Sequence, residues 1–419
     1  MSNKLINLEK YFKYFPQSDL HVKKRHVKID INVTLFDFLS IEEIRRKFCT
    51  ITDQINYIDF VDITITCKHA DGPGCILLLE LLICFLLESD MSLKVYISIS
   101  YDTKYTINNC ISKSIIYRYN NNYVNNEQLL NDVLHNELHP YCINKPRHPS
   151  GNEVINYLTG KQTSLERELV PLSPQEWIKL NFFRSIVSSE DITKLSTLST
   201  NLRFYFKSVN CLFEKDVIKN ALLNEIITII SELVGNATEH AESDCIVYCS
   251  VDPALDKNKK DCILIAICII NLSNIKLYTK ILEKIKHSPN EINEKVNKAK
   301  QLHQKHFSNK YTLEHFGMIA NFQKEVSTRY DIENGTGGTG LPTFINKIEG
   351  LIDDEYCYVA SGNSAIFFEH KYTKLENGEV GFNEKCRFID DVPNESVLRK
   401  IPFLLNGTMY NIHLIINKE

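Results

Sequence analysis

The sequence predicts an α+β protein of two unequal units: a smaller N-terminal α/β domain and a larger C-terminal α/β sandwich, a mixed sheet with helices on one face. Three observations lead there. Between His26 and Ser100, alternating runs bracket two helical stretches, one of them wholly apolar. In the second half an amphipathic helix, NEIITIISELVGNATEHA at 224–241, precedes an unbroken apolar strand, CILIAICII at 262–270. A glycine run at 334–341, NGTGGTGL, opens another helix, and the chain closes on the alternating strand MYNIHLII.

Composition sets the outer limits. A chain of 419 residues can hold two or three separate cores, and 43% hydrophobic with 24% charged residues is ordinary for a soluble globular protein. A net charge of −4 draws the chain toward neither nucleic acid nor an anionic membrane, so neither is an expected partner. The 13 cysteines are scattered through apolar runs without a CxxC pair, which reads as reduced thiols of a cytoplasmic protein. Cys245 and Cys249 share one face of a strand and read as packing. The opening MSNKLINLEKYF lacks a signal-peptide core. The most apolar run, CILLLELLICFLL at 75–87, is too short to span a bilayer and carries Glu80, so it predicts a buried helix.

In chain order, residues 1–25 read as a leader and 26–125 as the first domain. HVKIDI alternates like a half-buried strand; a helix at 40–54 follows, then a strand at 57–66, YIDFVDITIT. The turn Asp71-Gly72-Pro73-Gly74 suits a helix start and opens the apolar helix, and LKVYISIS at 93–100 closes the unit. A strand of the FVD type leading to a glycine-containing helix start resembles the STAS domain of anti-sigma-factor antagonists. That resemblance implies a protein partner bound through this domain. Phosphorylated STAS antagonists carry Ser or Thr at the helix start; DGPGC has neither, so that role is not carried over. A small α/β interaction domain of no particular family accounts for the same residues.

Residues 126–200 read as a connector. His135-Asn136-Glu137-Leu138-His139-Pro140 matches neither a zinc-protease helix nor a His-Glu phosphoacceptor, because Asn136 separates the histidine from the glutamate. Pro140 ends any helix there, leaving surface histidines. The single Trp177 falls in a short predicted helix, PQEWIKLNFFRSIV.

Residues 201–419 hold four elements in order. Glu232, Asn236 and His240 stand at i, i+4 and i+8, on one helix face, with Ile226, Ile229, Ile230 and Leu233 forming the buried stripe. An ordinary amphipathic helix with a polar face has the same pattern. The strand at 262–270 runs into Asn271-Leu272-Ser273-Asn274-Ile275. Gly335, Gly337, Gly338 and Gly340 would let backbone N–H groups approach phosphate oxygens, and Leu341 begins a helix aimed at them. The apolar spacing of Leu341, Phe344, Ile345 and Ile348 sets this run apart from a flexible linker. Gly407-Thr408 leads into the last strand.

Together these elements resemble the GHKL (Bergerat-fold) ATPase domain, in its histidine-kinase-like, anti-sigma-kinase-like branch. The resemblance implies an ATP and Mg²⁺ site. Asn236 would offer an amide oxygen to the magnesium, and Glu232, one turn earlier, would be the general base for the attacking water. His240 would lie near the phosphates. The family has Asp-x-Gly-x-Gly where this chain has Asn271, Ser273 and Asn274. An asparagine carbonyl can accept the adenine amino group, but its NH₂ could equally face the ring, which puts adenine selectivity in question. Thr408 would sit near the base. Strands YCYVASG and SAIFFEH predict a hairpin turning at 361–364. The lysine-rich interval between Asn271 and Gly335 predicts a helical lid, with TLEHFGMIANF returning the chain to the site; a solvated charged helix is the plainer alternative. The resulting expectation is a Mg-dependent ATP-binding protein, a slow ATPase acting as a regulatory switch. An anti-sigma-type serine/threonine kinase and a non-hydrolysing nucleotide sensor are the alternatives. Dimerisation is common in the superfamily, which leaves a homodimer open.

Overall fold

Alternation in HVKIDINVTLF puts Val27, Ile29 and Ile31 on the buried side of strand β1 (His26–Phe36) and Lys28, Asp30 and Asn32 in solvent. Asp37 accepts from the backbone N–H groups of Leu39 and Ser40 and so caps helix α1 (Phe38–Asp53). Strand β2 (Phe60–Ala70) pairs parallel with β1, and β3 (Lys94–Tyr101) pairs parallel with β2. The two-residue strand β4 (Asn122–Tyr123) adds an antiparallel edge. Both crossovers step the same way along the sheet, so α1 and helix α2 (Pro73–Ser89) share a face and pack on each other. Helix α3 (Asn126–Leu134) packs on α2, so the N-terminal unit extends beyond the expected limit at 125. This computed structural model describes residues 26–54, 58–101, 111, 113–134, 182–190, 192–210, 218–255, 260–287, 294–323 and 340–417. The leader, the histidines at 135–139, Trp177 and the glycine run up to 339 lie outside them.

The second sheet has the order β5-β6-β7-β9-β8, from β5 (Phe182–Val187), β6 (Cys245–Leu255), β7 (Asp261–Leu272), β8 (Tyr358–Phe367) and β9 (Leu398–Asn417). Every pairing in it is antiparallel; the mixed sheet is the N-terminal one. FFRSIV, which the sequence places in a helix, forms β5 and starts this sheet. Its six residues are all buried, the mark of a strand covered on both faces. The second unit therefore begins before residue 201. The hairpin expected at 361–364 is instead a register irregularity within the continuous strand β8, with Gly362 at φ +63°.

Both faces of the C-terminal sheet are covered. Helices α4 (Ile192–Asn210), α5 (Asn220–Gly235) and α9 (Gly340–Ile348) bury Leu202, Ile230 and Phe344 against Val247, Ile267 and Ile412 on one face. The other face, with Ile246, Cys268, Ile270 and Met409, shares a core with α1 and α2. Helix α2 is thus clamped between two sheets, which is why every residue from Pro73 to Leu87 is buried and no polar stripe is needed. Its Glu80 bonds to Arg184 at 2.6 Å and accepts from the Ile115 N–H at 2.7 Å. The start of α2 touches β9: Gly74 N–H donates to Asn411 Oδ1 at 3.1 Å. Gly72, at φ +140°, leaves no room for a Cβ, which would lie 2.7 Å from Asn411 Nδ2.

The expected lid is helical and docked. Helices α6 (Thr279–His287), α7 (Glu294–His303) and α8 (Leu313–Ala320) bury Ile281, Ile285, Val296 and Phe316 in the same core as α5. His303 Nε2 faces the Phe388 carbonyl, which can only accept, so Nδ1 receives the Tyr311 hydroxyl, 2.5 Å away. His315 is fixed likewise by the Arg399 carbonyl at 3.0 Å. Burial pushes both imidazoles down, consistent with neutral anchoring side chains. Among the described residues no helix is long and apolar enough to cross a membrane.

Candidate functional site

The face of the C-terminal sheet under α5 is apolar along most of its length and turns polar at one end. Register puts Asn271 of β7 directly opposite Thr408 of β9, and Thr408 opposite Ser361 of β8. The three side chains share the face of Ile267 and Ile412, hence the side of α5. Asn271 Oδ1 accepts from the Thr408 backbone N–H at 2.8 Å, and its Nδ2 donates to Ser243 Oγ at 3.2 Å. Ser361 Oγ lies 3.1 Å from Thr408 Oγ1, donates to the Gly407 carbonyl at 2.5 Å and accepts from the Leu277 N–H at 3.0 Å. Gly407 is required here: at φ +125°, a Cβ would sit 2.0 Å from the Asn271 carbonyl oxygen.

Helix α5 reaches the same end. It stops at Gly235, Asn236–His240 form a π-helical turn, and the carbonyl of Ala241 just after it accepts from Ser273 Oγ at 2.7 Å, next to the end of β7. Glu232 and Asn236 remain one turn apart, with the Asn236 N–H bonded to the Glu232 carbonyl. The side chain of His240 lies outside the described residues. Glu232 is half-buried, and its Oε2 is shut off from solvent without a hydrogen-bond partner. Burial raises its carboxyl above the usual carboxylate range, while the positive charge of Lys347, on the packed helix α9, opposes the shift.

The structure thus sets the turn at Asn236, one helical turn after Glu232, against the end of β7 that carries Asn271, opposite Thr408; α9, which carries Gly340 and Leu341 at its start and Lys347 near its end, packs on α5. Gly335, Gly337 and Gly338 fall in the undescribed segment. Sequence reasoning missed Ser361, Ser243 and Lys347. Ser361 read as a turn residue, and only strand register shows it beside Thr408. Lys347 stands five residues after Pro342 with nothing local to mark it, since its relevance comes from helix packing. Tyr278, against Gly362, closes the far side, where a Cβ on Gly362 would lie 2.3 Å from its hydroxyl. No family model, curated protein or solved structure matches the chain.

Proposed function

We propose that the C-terminal half binds a magnesium nucleoside triphosphate and hydrolyses it slowly, Glu232 serving as general base, so that turnover acts as a switch in a regulatory system. The observation that carries this reading is Glu232 itself. A buried carboxylate oxygen without a partner is costly in a purely structural role, and it stands one helical turn from an amide at the polar end of the sheet. A raised pKa brings a carboxylate closer to the pH at which a general base works best.

A magnesium ion would draw on a single protein donor here. Asn236 is half-buried and would offer its amide oxygen, and among the described residues no cluster of three His, Cys, Asp or Glu would hold a metal by itself. A magnesium that keeps several waters and leans on phosphate oxygens needs no more. When bound it would neutralise charge on the phosphates. Gly340 and Leu341 at the start of α9 would face the phosphates, Asn271 and Thr408 the base, and Glu232 would take the proton of the attacking water. The anti-sigma-type kinase reading would need its acceptor on a separate protein, because the start of α2 is closed by Asn411.

Calorimetric titration with nucleoside triphosphates, with and without magnesium, tests occupancy and metal need. Glu232→Ala should retain nucleotide binding while phosphate release falls by roughly 10²–10⁴-fold. Parental turnover in that variant would remove the base assignment. Because the base acts ionised, parental turnover should rise with pH through the raised pKa of Glu232.

A further inference from the structure

We infer that the base-facing end of this site is built for a 6-oxopurine, guanine or hypoxanthine, and discriminates against adenine. The inference rests on the nucleotide reading above and specifies its substrate class. It follows from where the protons must lie. The Thr408 backbone N–H can only donate, so the amide of Asn271 is fixed with its oxygen toward Thr408 and its NH₂ away. One N–H of that NH₂ goes to Ser243, which leaves the other as the spare capacity of Asn271.

The hydroxyls are ordered by the same logic. Ser361 has one proton, and the Gly407 carbonyl takes it. Its oxygen accepts from the Leu277 N–H. The contact between Ser361 and Thr408 must therefore use the proton of Thr408, and Thr408 Oγ1 is left with lone pairs only. Two residues directly opposite each other on adjacent strands thus present one donor, from Asn271, and one acceptor, from Thr408.

A 6-oxopurine carries an acceptor, O6, next to a donor, N1–H, and so complements the pair at both positions. Adenine carries the reverse, an amino donor at position 6 next to an acceptor N1, and would set donor against donor and acceptor against acceptor. Asn271 is 1% exposed and Thr408 6%, so a base reaching them is desolvated, and a mismatch cannot be relieved by water. An aspartate at 271 would have no donor to offer. The asparagine therefore changes the polarity of the site as well as its charge.

The test is calorimetric titration of the full chain with ATP, GTP and ITP in magnesium. ITP shares the O6 and N1–H edge of GTP but lacks the 2-amino group, so it isolates that edge. GTP and ITP should bind alike and roughly 10- to 100-fold more tightly than ATP, from two neutral hydrogen bonds gained or lost. ATP binding as tightly as ITP would overturn the inference and leave the nucleotide site standing. Binding of none of the three would remove the nucleotide reading itself. Asn271→Asp keeps an acceptor for the Thr408 N–H and removes the donor, so it should move the ITP to ATP affinity ratio roughly tenfold or more toward ATP. An unchanged ratio in a folded variant would also overturn the assignment.

Discussion

The two faces of the antiparallel sheet treat buried polar groups in opposite ways. On the face toward the N-terminal domain, charges are closed into pairs. Arg184 meets Glu80 with both side chains 1% exposed and also donates to the Val133 carbonyl at 2.7 Å; Lys113 meets Asp252. Asn411 is bonded at both ends, from Gly74 N–H and to the Tyr356 carbonyl. On the face toward α5, the row Asn271, Thr408 and Ser361 is tied down by backbone groups yet keeps one donor and one acceptor in reserve, and Glu232 keeps an unpartnered oxygen. Pairs that use up their capacity hold a structure together, whereas oriented capacity left over at the end of a sheet is what a ligand can use. Two exceptions stand on the first face: the Nε of Arg184, which is buried without a partner, and His413. Stacked on Tyr356 and fully buried, its imidazole is pushed down to about 3, which keeps it neutral with nothing bonded to its ring nitrogens.

The largest expected effect comes from opening one of the closed pairs. Arg184→Leu strands the Glu80 carboxylate in the shared core and should cost about 3–5 kcal/mol of unfolding free energy, measured in denaturant. The double variant Glu80→Leu with Arg184→Leu should recover most of that loss, since matched apolar groups replace a buried pair at little cost. A single variant no more damaging than the double would mean that the pair is not closed as drawn.

Much of this arrangement was legible in the sequence, and the illegible part has a common cause. The apolar helix with one glutamate was readable as buried, because no amphipathic stripe is present in CILLLELLICFLL. What the run does not say is that two sheets clamp it, nor that the partner of Glu80 lies 104 residues away in FFRSIV. The same holds for the site. Glu232, Asn236 and Thr408 carry local signals, whereas Ser361 and Lys347 enter through strand register and helix packing. Local periodicity also fails where the backbone leaves its regular form. Helix α5 leaves its α form after Gly235, and a strand irregularity at Gly362 imitates a turn.

A smaller effect, of opposite sign, sharpens the account of the closed face. Asp71 is buried at the start of α2, and burial pushes its carboxyl up to about 7; the Tyr358 hydroxyl opposes the shift and Asp37 adds to it. The unfolded chain titrates near about 4. The folded state therefore holds this proton more tightly. The stability Asp71 contributes is full below about pH 4, is lost between about pH 4 and 7, and stays lost above that. Asp71→Asn should leave thermal stability unchanged near pH 4 and raise it at pH 8 by at most about 4 kcal/mol. A variant equally stabilised at both pH values would place the effect elsewhere.

The smallest effect separates the two asparagines that face opposite sides of the sheet. Asn411 caps α2 from β9, so Asn411→Ala should cost about 0.5–2 kcal/mol, the range for losing a helix cap. It should leave the ITP to ATP affinity ratio where it was, because its hydrogen bonds end on backbone groups of the far face. Asn271→Asp should instead move the ratio, since a carboxylate still accepts from the Thr408 N–H but has no donor to offer, and burying its charge at a 1%-exposed position costs stability as well. Thr408 and Asn411 stand three residues apart on β9, so the two faces are joined by a short length of backbone. A shift in nucleotide preference on losing Asn411 would therefore mean that the docking of α2 sets the position of Thr408. The sheet would then transmit the state of the N-terminal domain to the base, and the division into a closed face and a receptive face would fail at that strand.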